Sequence, residues 1–509
     1  MFVMPKEILQ RESHKEGKNG VLRVLSFHKA RSLSIWAWTV LVAGVAGAEV
    51  VIWPAAEGTA ATNGEYQVTV NGRPVDVIYI PKPHVLYECH FPEEARQSYF
   101  AAFFDADEEV AVTVDSPRDL TQTCILPTAK GIRPIVESAH RVTFRAKPPF
   151  NVSFEPTPRH RALVFAANLP ERNVPKPTDP NVRFFAPGRH HFDKVIEIGS
   201  NQTVYFAPGA WVEGGIWVKG TNVTICGRGV LSGLPWERYK GPHGRMMEFR
   251  PPGKEWPRDL CWERREPLRD ITVRDVTLIG SWSWTLVTFL CENVLIDNVK
   301  ILNGHVLNDD GIDVCKSRNV TIRNCFVRAQ DDCIAPKYWV EGLKVENCAL
   351  WTDVANIIRV GYECDGAGGR HRFSDLTFKN VDSIHQSIRK PAHDEYWSEN
   401  TIQIQAANDT VMEEFLFEDF RIDHPEKGDH FLKAFTFNLN TDWNPGKEPG
   451  HIRNIRCRNV SVIGDLPEDK DTMGIWLQGT DAAHTVDSVS FENVDSRFPV
   501  TRRNLTDQR

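Results

Sequence analysis

The chain has no Cys-x-x-Cys pair, although it holds 11 cysteines. An odd, dispersed set of thiols without that spacing excludes the common zinc frameworks. Several thiols (Cys226, Cys291, Cys315, Cys325, Cys348 and Cys457) fall inside β-rich runs and read as buried small apolar side chains. An excess of positive charge is missing as well. Lys and Arg number 60 against 67 Asp and Glu, for a formal net charge of −7. That leaves no basic footprint for nucleic acid and mildly disfavours a polyanionic ligand. Long apolar runs are absent beyond the N-terminus, so no segment after residue 48 reads as a membrane span. With 41% apolar and 25% charged residues, the composition is that of a globular protein rather than a disordered one.

The N-terminus carries a targeting pattern. "KARSLS" supplies positive charge, "IWAWTVLVAGV" is an apolar run too short to span comfortably, and "AGA" at 46–48 has the small residues of a cleavage site. Together they predict a secretory signal cut after Ala48, a secreted or periplasmic mature protein, and no membrane anchor after cleavage. Residues 1–28 are polar and precede the charged segment, as an unusually long n-region or as the product of an early start.

A chain of 509 residues exceeds what one compact core organises, which predicts two domains or one long repetitive one. Residues 49–175 hold short alternating runs such as "EYQVTVNG", "SYFAAFFD", "EVAVTVD" and "HRVTFRA", separated by turn residues. This spacing predicts an antiparallel β-sandwich. The stretch "LPERNVPKPTDPNVRFF", with four prolines, then reads as a linker. From residue 180 to 509 one phrase returns: "NVTICGRGVLSG" at 222, "DITVRDVTLIGS" at 270, "NVLIDNVKILNG" at 293, "NVTIRNCFVRAQ" at 319 and "GLKVENCALWTD" at 342, with further copies downstream. Consecutive copies with short loops lie roughly 23–26 residues apart, within the range of solenoid repeats. The unit has no helical period, so the expected architecture is all-β, a parallel β-helix. Asn at the turns suits the left-handed conformation and can bond its neighbour in the next coil. Excursions at 234–268, 361–374 and 385–400 are expected to wall a groove. The sandwich is expected either to bind carbohydrate or to cap the first coil, whose apolar face needs cover, and capping is the more economical of the two.

Two acidic clusters stand out in "LNDDGIDVCKSRNVTIRNCFVRAQDDCIAPK", residues 307–337. Asp310 and Asp331 are one coil apart, and adjacent coils stack at roughly 4.8 Å. Asp310 should therefore lie beside Asp331 and Asp332. Carboxylates that close repel, so at least one should hold its proton at neutral pH. A protonated acid beside ionised bases is the equipment for glycosidic cleavage, one group protonating the leaving oxygen and another deprotonating a water. Asp313 reads as bonding a turn within the coil, and Asp309 as facing solvent or a subsite. A calcium site is a competing use of the cluster. The hydrolytic reading needs no metal and no cofactor.

"NDDGID" followed one coil later by "QDDCIA" resembles the polygalacturonase family, glycoside hydrolase family 28, with its N-T-D-G-x-D and G-D-D-C motifs. The resemblance implies that Asp331 is the general acid, that Asp310 and Asp332 hold the attacking water, and that cleavage inverts the anomeric centre. The chain departs from that family where G-H-G should follow, since Asn356 stands in place of the His. It departs again at R-I-K, where "SIRK" offers Arg389 and Lys390 in shifted order. "APGAWVEGGIWVKGTNVTICGRGVLSG" and "CALWTDVANIIRVGYE" are similar to glycoside hydrolase family 49, the dextranases and isopullulanases. That family pairs an N-terminal β-sandwich with a right-handed parallel β-helix and also lacks the His, so the resemblance implies the right hand for the coils of this chain. Asn356, Arg359, Lys337, Trp282, Trp339, Tyr362, Arg389 and Lys390 are the candidate sugar-binding residues, with Trp284, Trp351 and Trp397 as further aromatic candidates. The expected substrate is a polysaccharide or oligosaccharide, with an α-glucan first and a galacturonan second. A polysaccharide lyase and a non-catalytic glycan-binding solenoid are the competing classes.

Overall fold

The computed structural model of the protein describes residues 49–61, 63–81, 97–157, 161–253, 261–304, 306–365, 371–386, 401–424, 433–439, 449–464 and 474–504. The predicted signal segment lies outside these residues, as do Arg389, Lys390 and Trp397. Everything described belongs to one body, Ala48–Arg509. No helix among the described residues is long and apolar enough to cross a membrane.

From Val182 onward the described residues wind into 27 strands, all in parallel register with the coil below. Three strands per coil pair with their equivalents one turn on. In two coils the first two fuse into the long bent strands Ile312–Arg323 and Ile334–Glu346, with Lys316 and Tyr338 taking the bend at positive φ. From Phe373 the second and third fuse instead, as in Phe373–Gln386. The repeat phrase explains the core. Its alternate apolar residues point inward, and register stacks like on like. Val223, Ile271, Val294, Val320, Leu343, Leu376, Phe415 and Ile455 form one such column. Leu286, Ile312, Ile334, Ile358 and Ile402 form another. The turn asparagines adopt positive φ, including Asn222 (56°), Asn298 (54°) and Asn324 (56°). They bond along the stack: Asn222 Nδ2 donates to Asn201 Oδ1 at 2.8 Å, and Asn380 Nδ2 to Asn347 Oδ1 at 2.6 Å.

Residues 50–168 form two facing sheets. Phe100, Phe104, Phe154 and Phe165 of one meet Val112, Val114, Val142 and Phe144 of the other. One pair breaks the expected antiparallel pattern, because Leu163–Asn168 runs parallel to Tyr99–Ala106. The expected cap on the first coil is also not what the sandwich provides. The strand Tyr99–Ala106 is buried on both faces. Its outer face, with Ile78 and Val164, packs along the flank of successive coils against Ile279, Leu302, Phe326, Trp351 and Ile384. A sheet with two apolar faces must cover both, and the coil flank offers the larger apolar strip.

Buried polar groups pin this interface. The Arg328 guanidinium sits between the rings of Tyr99 and Trp351, 3.9 and 4.0 Å from their centroids. The Tyr99 hydroxyl donates to Asn303 O at 2.7 Å, and His385 bonds Glu155 at 2.8 Å.

The in-register column predicts a specific sensitivity. Leu343→Ala removes a fully buried side chain held between Val320 and Leu376. It should destabilise the coils by about 2–5 kcal/mol, read as a lowered urea midpoint.

Candidate active site

Short third strands, Lys300–Leu302 and Phe326–Ala329, end in turns that lead into the next long strands. These turns carry Asp309–Asp310 and Asp331–Asp332. Because Met247, Leu286, Ile312, Ile334 and Ile358 pair in sequence, the residues two positions earlier also align. Arg245, Trp284, Asp310, Asp332 and Asn356 therefore occupy one row across five coils. Backbone bonds between the coils tie the row together: Thr285 N donates to Asp310 O (2.9 Å), Gly311 N to Asp332 O (2.8 Å) and Cys333 N to Asn356 O (3.0 Å).

Asp310, Asp331 and Asp332 converge. One carboxylate oxygen from each lies within 4.8 Å of the others. Asp310 and Asp332 are buried, and Asp331 is partly exposed. Asp310 Oδ2 accepts from Lys337 Nζ at 2.8 Å, while its Oδ1 is buried with no partner. Asp332 Oδ1 accepts from the backbone and side-chain nitrogens of Asn356, at 3.0 and 2.8 Å. Arg359 Nε is 3.9 Å from Asp332 Oδ2. Asp331 accepts from Asn308 Nδ2 (3.2 Å) and from the Asp332 amide (2.9 Å).

Burial pushes the Asp331 carboxyl well above the usual carboxylate range, and the charges of Asp310 and Asp332 push it further. Burial raises Asp310 as well, against the opposing pull of Lys337. Burial alone would lower the Lys337 ammonium, but Asp310 and Asp313 reverse that and hold it well above its ordinary value. Lys337 is thus the fixed cation of the site. It also lies 3.0 Å from Asp313 Oδ1 and 3.7 Å from the Trp284 ring centroid.

Several sequence candidates do other work. Trp282 is fully buried in the coil core, its Nε1 donating to His243 O at 2.8 Å, so it is not a groove platform. Trp339 is also buried and stacks on His371 at 4.4 Å. Trp351 belongs to the sandwich interface. Asn356 is buried against Asp332 and orients it. Tyr362 is partly exposed and stacks under Arg359 at 4.1 Å, which keeps it beside the site. Asp309 faces neither solvent nor a subsite. It is fully buried, taking Gln330 N at 2.7 Å and Gly304 N at 3.0 Å, and so locks the two turns together. Asp313 does not bond a turn; its carboxyl lies against Lys337, and burial pushes it well above the usual carboxylate range. Arg245, Asn308 and Glu363 were not singled out from the sequence. Counting back one coil, 26 residues from Asp310, reaches Trp284 and would have marked it over its neighbours.

Residues 189–352 match the family model described as Glycosyl hydrolases family 28, a span that includes all three converging aspartates. The likeness read from the two acidic motifs is therefore borne out. A probable polygalacturonase of Vitis vinifera is 32% identical over 178 residues, 33% of either chain. The isopullulanase of Aspergillus niger is 23% identical over 259 residues, covering 45% of this chain and 44% of that one. The chain spans about a third to a half of the length of the curated relatives it matches. Among solved structures, Dex49A from Penicillium minioluteum superposes with a TM-score of 0.56 at 13% identity, over 86% of this chain and 96% of that one. That likeness identifies the fold as the right-handed parallel β-helix.

The raised Asp331 carboxyl has a thermodynamic consequence. A carboxyl whose folded pKa lies above its unfolded value, about 3.9, makes folding less favourable as pH rises. Asp331→Asn should therefore raise the melting temperature at pH 7, with the gain fading below about pH 4. Paired melting curves across pH measure this.

Proposed function

We propose that the protein is a glycoside hydrolase that cleaves a polysaccharide with inversion. The observation that carries this reading is the convergence of Asp310, Asp331 and Asp332 within 4.8 Å, with one carboxyl driven toward its protonated form and another held beside a fixed ammonium. Asp331 is assigned as the general acid. It is protonated by its surroundings and is the most accessible of the three, so it can deliver its proton to the glycosidic oxygen. Asp310 and Asp332 take up the proton of a water that attacks the anomeric carbon. The unpaired Asp310 Oδ1 is the oxygen open to that water.

The carboxylates stand closer than the roughly 6.5–9.5 Å that separates a two-residue inverting pair. In this assignment the water is gripped by two carboxylates on one side rather than standing between a single base and the acid. Stereochemistry is therefore the decisive measurement. The first product observed by NMR should carry the opposite anomeric configuration to the bond cleaved, and retention would overturn the assignment.

For the substrate, an α-glucan is the first reading. Of the cations nearest the acids, Lys337 is fully engaged by Asp310 and Asp313. Arg359 reaches Asp332 only at 3.9 Å, with its Nε unbonded, so Arg359 is the cation a substrate carboxylate would have to use. A galacturonan is the second reading, favoured by the similarity to the Vitis vinifera probable polygalacturonase. Reducing ends released from dextran, pullulan and polygalacturonate separate the two. Ultraviolet-absorbing unsaturated ends would indicate a lyase, and affinity without new ends a binding protein.

Two substitutions test the roles. Asp331→Asn should lower kcat by about 10²–10⁴-fold with KM little changed. Lys337→Met removes the charge that opposes the raised pKa of Asp310. That carboxyl then protonates more readily, so the acid limb of the pH–rate profile should move to higher pH.

A further inference from the structure

A second cleft lies at the other end of the same third strands, where the sandwich meets the coils. Its volume is about 300 Å³, at the lower bound for small-ligand sites. One wall is the sandwich, from strands Phe150–Glu155 and Leu163–Asn168; the other is the turn row of Asn298, Asn324 and Asn347. The strand Phe326–Ala329 separates Asn324 from the acidic turn, so the cleft and the carboxylates are distinct places on one scaffold.

The amides here are paired with two exceptions. Asn168 is 1% exposed; its Oδ1 accepts from Asn298 Nδ2 at 2.7 Å, but its Nδ2 has no partner. Asn151 Nδ2 donates to Asn298 Oδ1 (3.3 Å) and Asn324 O (3.2 Å), while its Oδ1 is buried and unpaired. Both residues line the cleft. A buried polar group left unpaired is costly. Asn151 lies opposite Ala166, and Asn168 follows two positions further on the same face of the neighbouring strand, so their open acceptor and donor call for a partner. One donor and one acceptor together match a hydroxyl, which accepts and donates through a single oxygen. Most charges in the lining are paired, Arg274 with Asp275 at 2.7 Å, Arg228 with Asp105 and Asp275 at 3.3 and 2.9 Å, and Asp297 with Arg323 at 2.7 Å, while Lys130 adds a positive charge at the rim. The exposed Leu169 adds an apolar lip.

We propose that this cleft between sandwich and coils binds a sugar unit of a neutral oligosaccharide, with one hydroxyl bridging Asn168 Nδ2 and Asn151 Oδ1. It would hold a glycan chain on the scaffold at a point remote from the acids. The choice of a sugar over other hydroxyl compounds rests on the proposed glycan activity; the hydroxyl geometry does not.

The test uses the full chain carrying Asp331→Asn, so that nothing is consumed during titration. Isomaltotriose, maltotriose and digalacturonate are titrated and followed by calorimetry and by NMR saturation transfer. Two binding events are expected for a neutral trisaccharide. Adding Asn151→Leu, which keeps the side-chain shape but removes its polar atoms, should weaken one event at least tenfold and leave the other unchanged. Asn151→Ala serves if the Leu variant does not fold. In the otherwise native enzyme, Asn151→Leu should leave hydrolysis of short substrates within about twofold. A single event that ignores both Asn151 variants would mean that only water fills the cleft, and would overturn the proposal. So would a second event seen with digalacturonate alone. Failure of the hydrolytic reading is a separate result, an absence of new reducing ends with the native chain, and leaves the titration readable.

Discussion

Parallel stacking in register is the constraint on which the rest depends. Once each coil lies on the last with equivalent residues aligned, any position repeated one coil later becomes a spatial neighbour at roughly 4.8 Å. Apolar positions gain from this, since Val320, Leu343 and Leu376 bury one another. Acidic positions are penalised by the same spacing, because like charges are forced together in a poorly solvated place. Asp309 strengthens the turns locally, spending its carboxylate on backbone amides of both coils.

Lys337 determines how that penalty is distributed. Burial raises the proton affinity of Asp310, Asp313 and Asp331 alike. Lys337 opposes this directly at Asp310 and Asp313, whereas Asp331 has no cation in direct contact among the described residues and is pushed further by the charges of Asp310 and Asp332. Asn356 and Arg359 perform a related service for Asp332 by hydrogen bonding and charge. Three chemically identical side chains thereby acquire different environments, and different environments are what an acid and a base at one pH require.

The sandwich contributes to the site from behind. Tyr99 bonds Asn303 O, and Asn303 in turn donates to Asp309 O at 3.0 Å and to Thr285 Oγ1 at 2.6 Å. The turn that presents Asp310 is thus braced across the interface by a residue some 200 positions away in sequence. The flank contact also creates the amide-lined cleft, which neither half would enclose alone.

Much of this was legible in the residues themselves. The period of the N-V-x-I-x-N-V-x-V phrase is a one-dimensional signal, and it specified the solenoid, the inward columns and the adjacency of Asp310 with Asp331 and Asp332, since a repeat converts sequence distance into spatial distance. What it could not carry was orientation and partnership. Trp282 and Trp284 are two residues apart and chemically alike, yet one is buried in the core and the other lies beside Lys337. Asp313 looked like a turn residue until Lys337 was found against it. The sandwich was expected at the end of the solenoid but packs along its side, because the second apolar face of the strand Tyr99–Ala106 has meaning only opposite the coil flank. Local periodicity determined the scaffold and which acids meet. Contacts between elements far apart in the chain decided which way each side chain faces and which charge it is paired with.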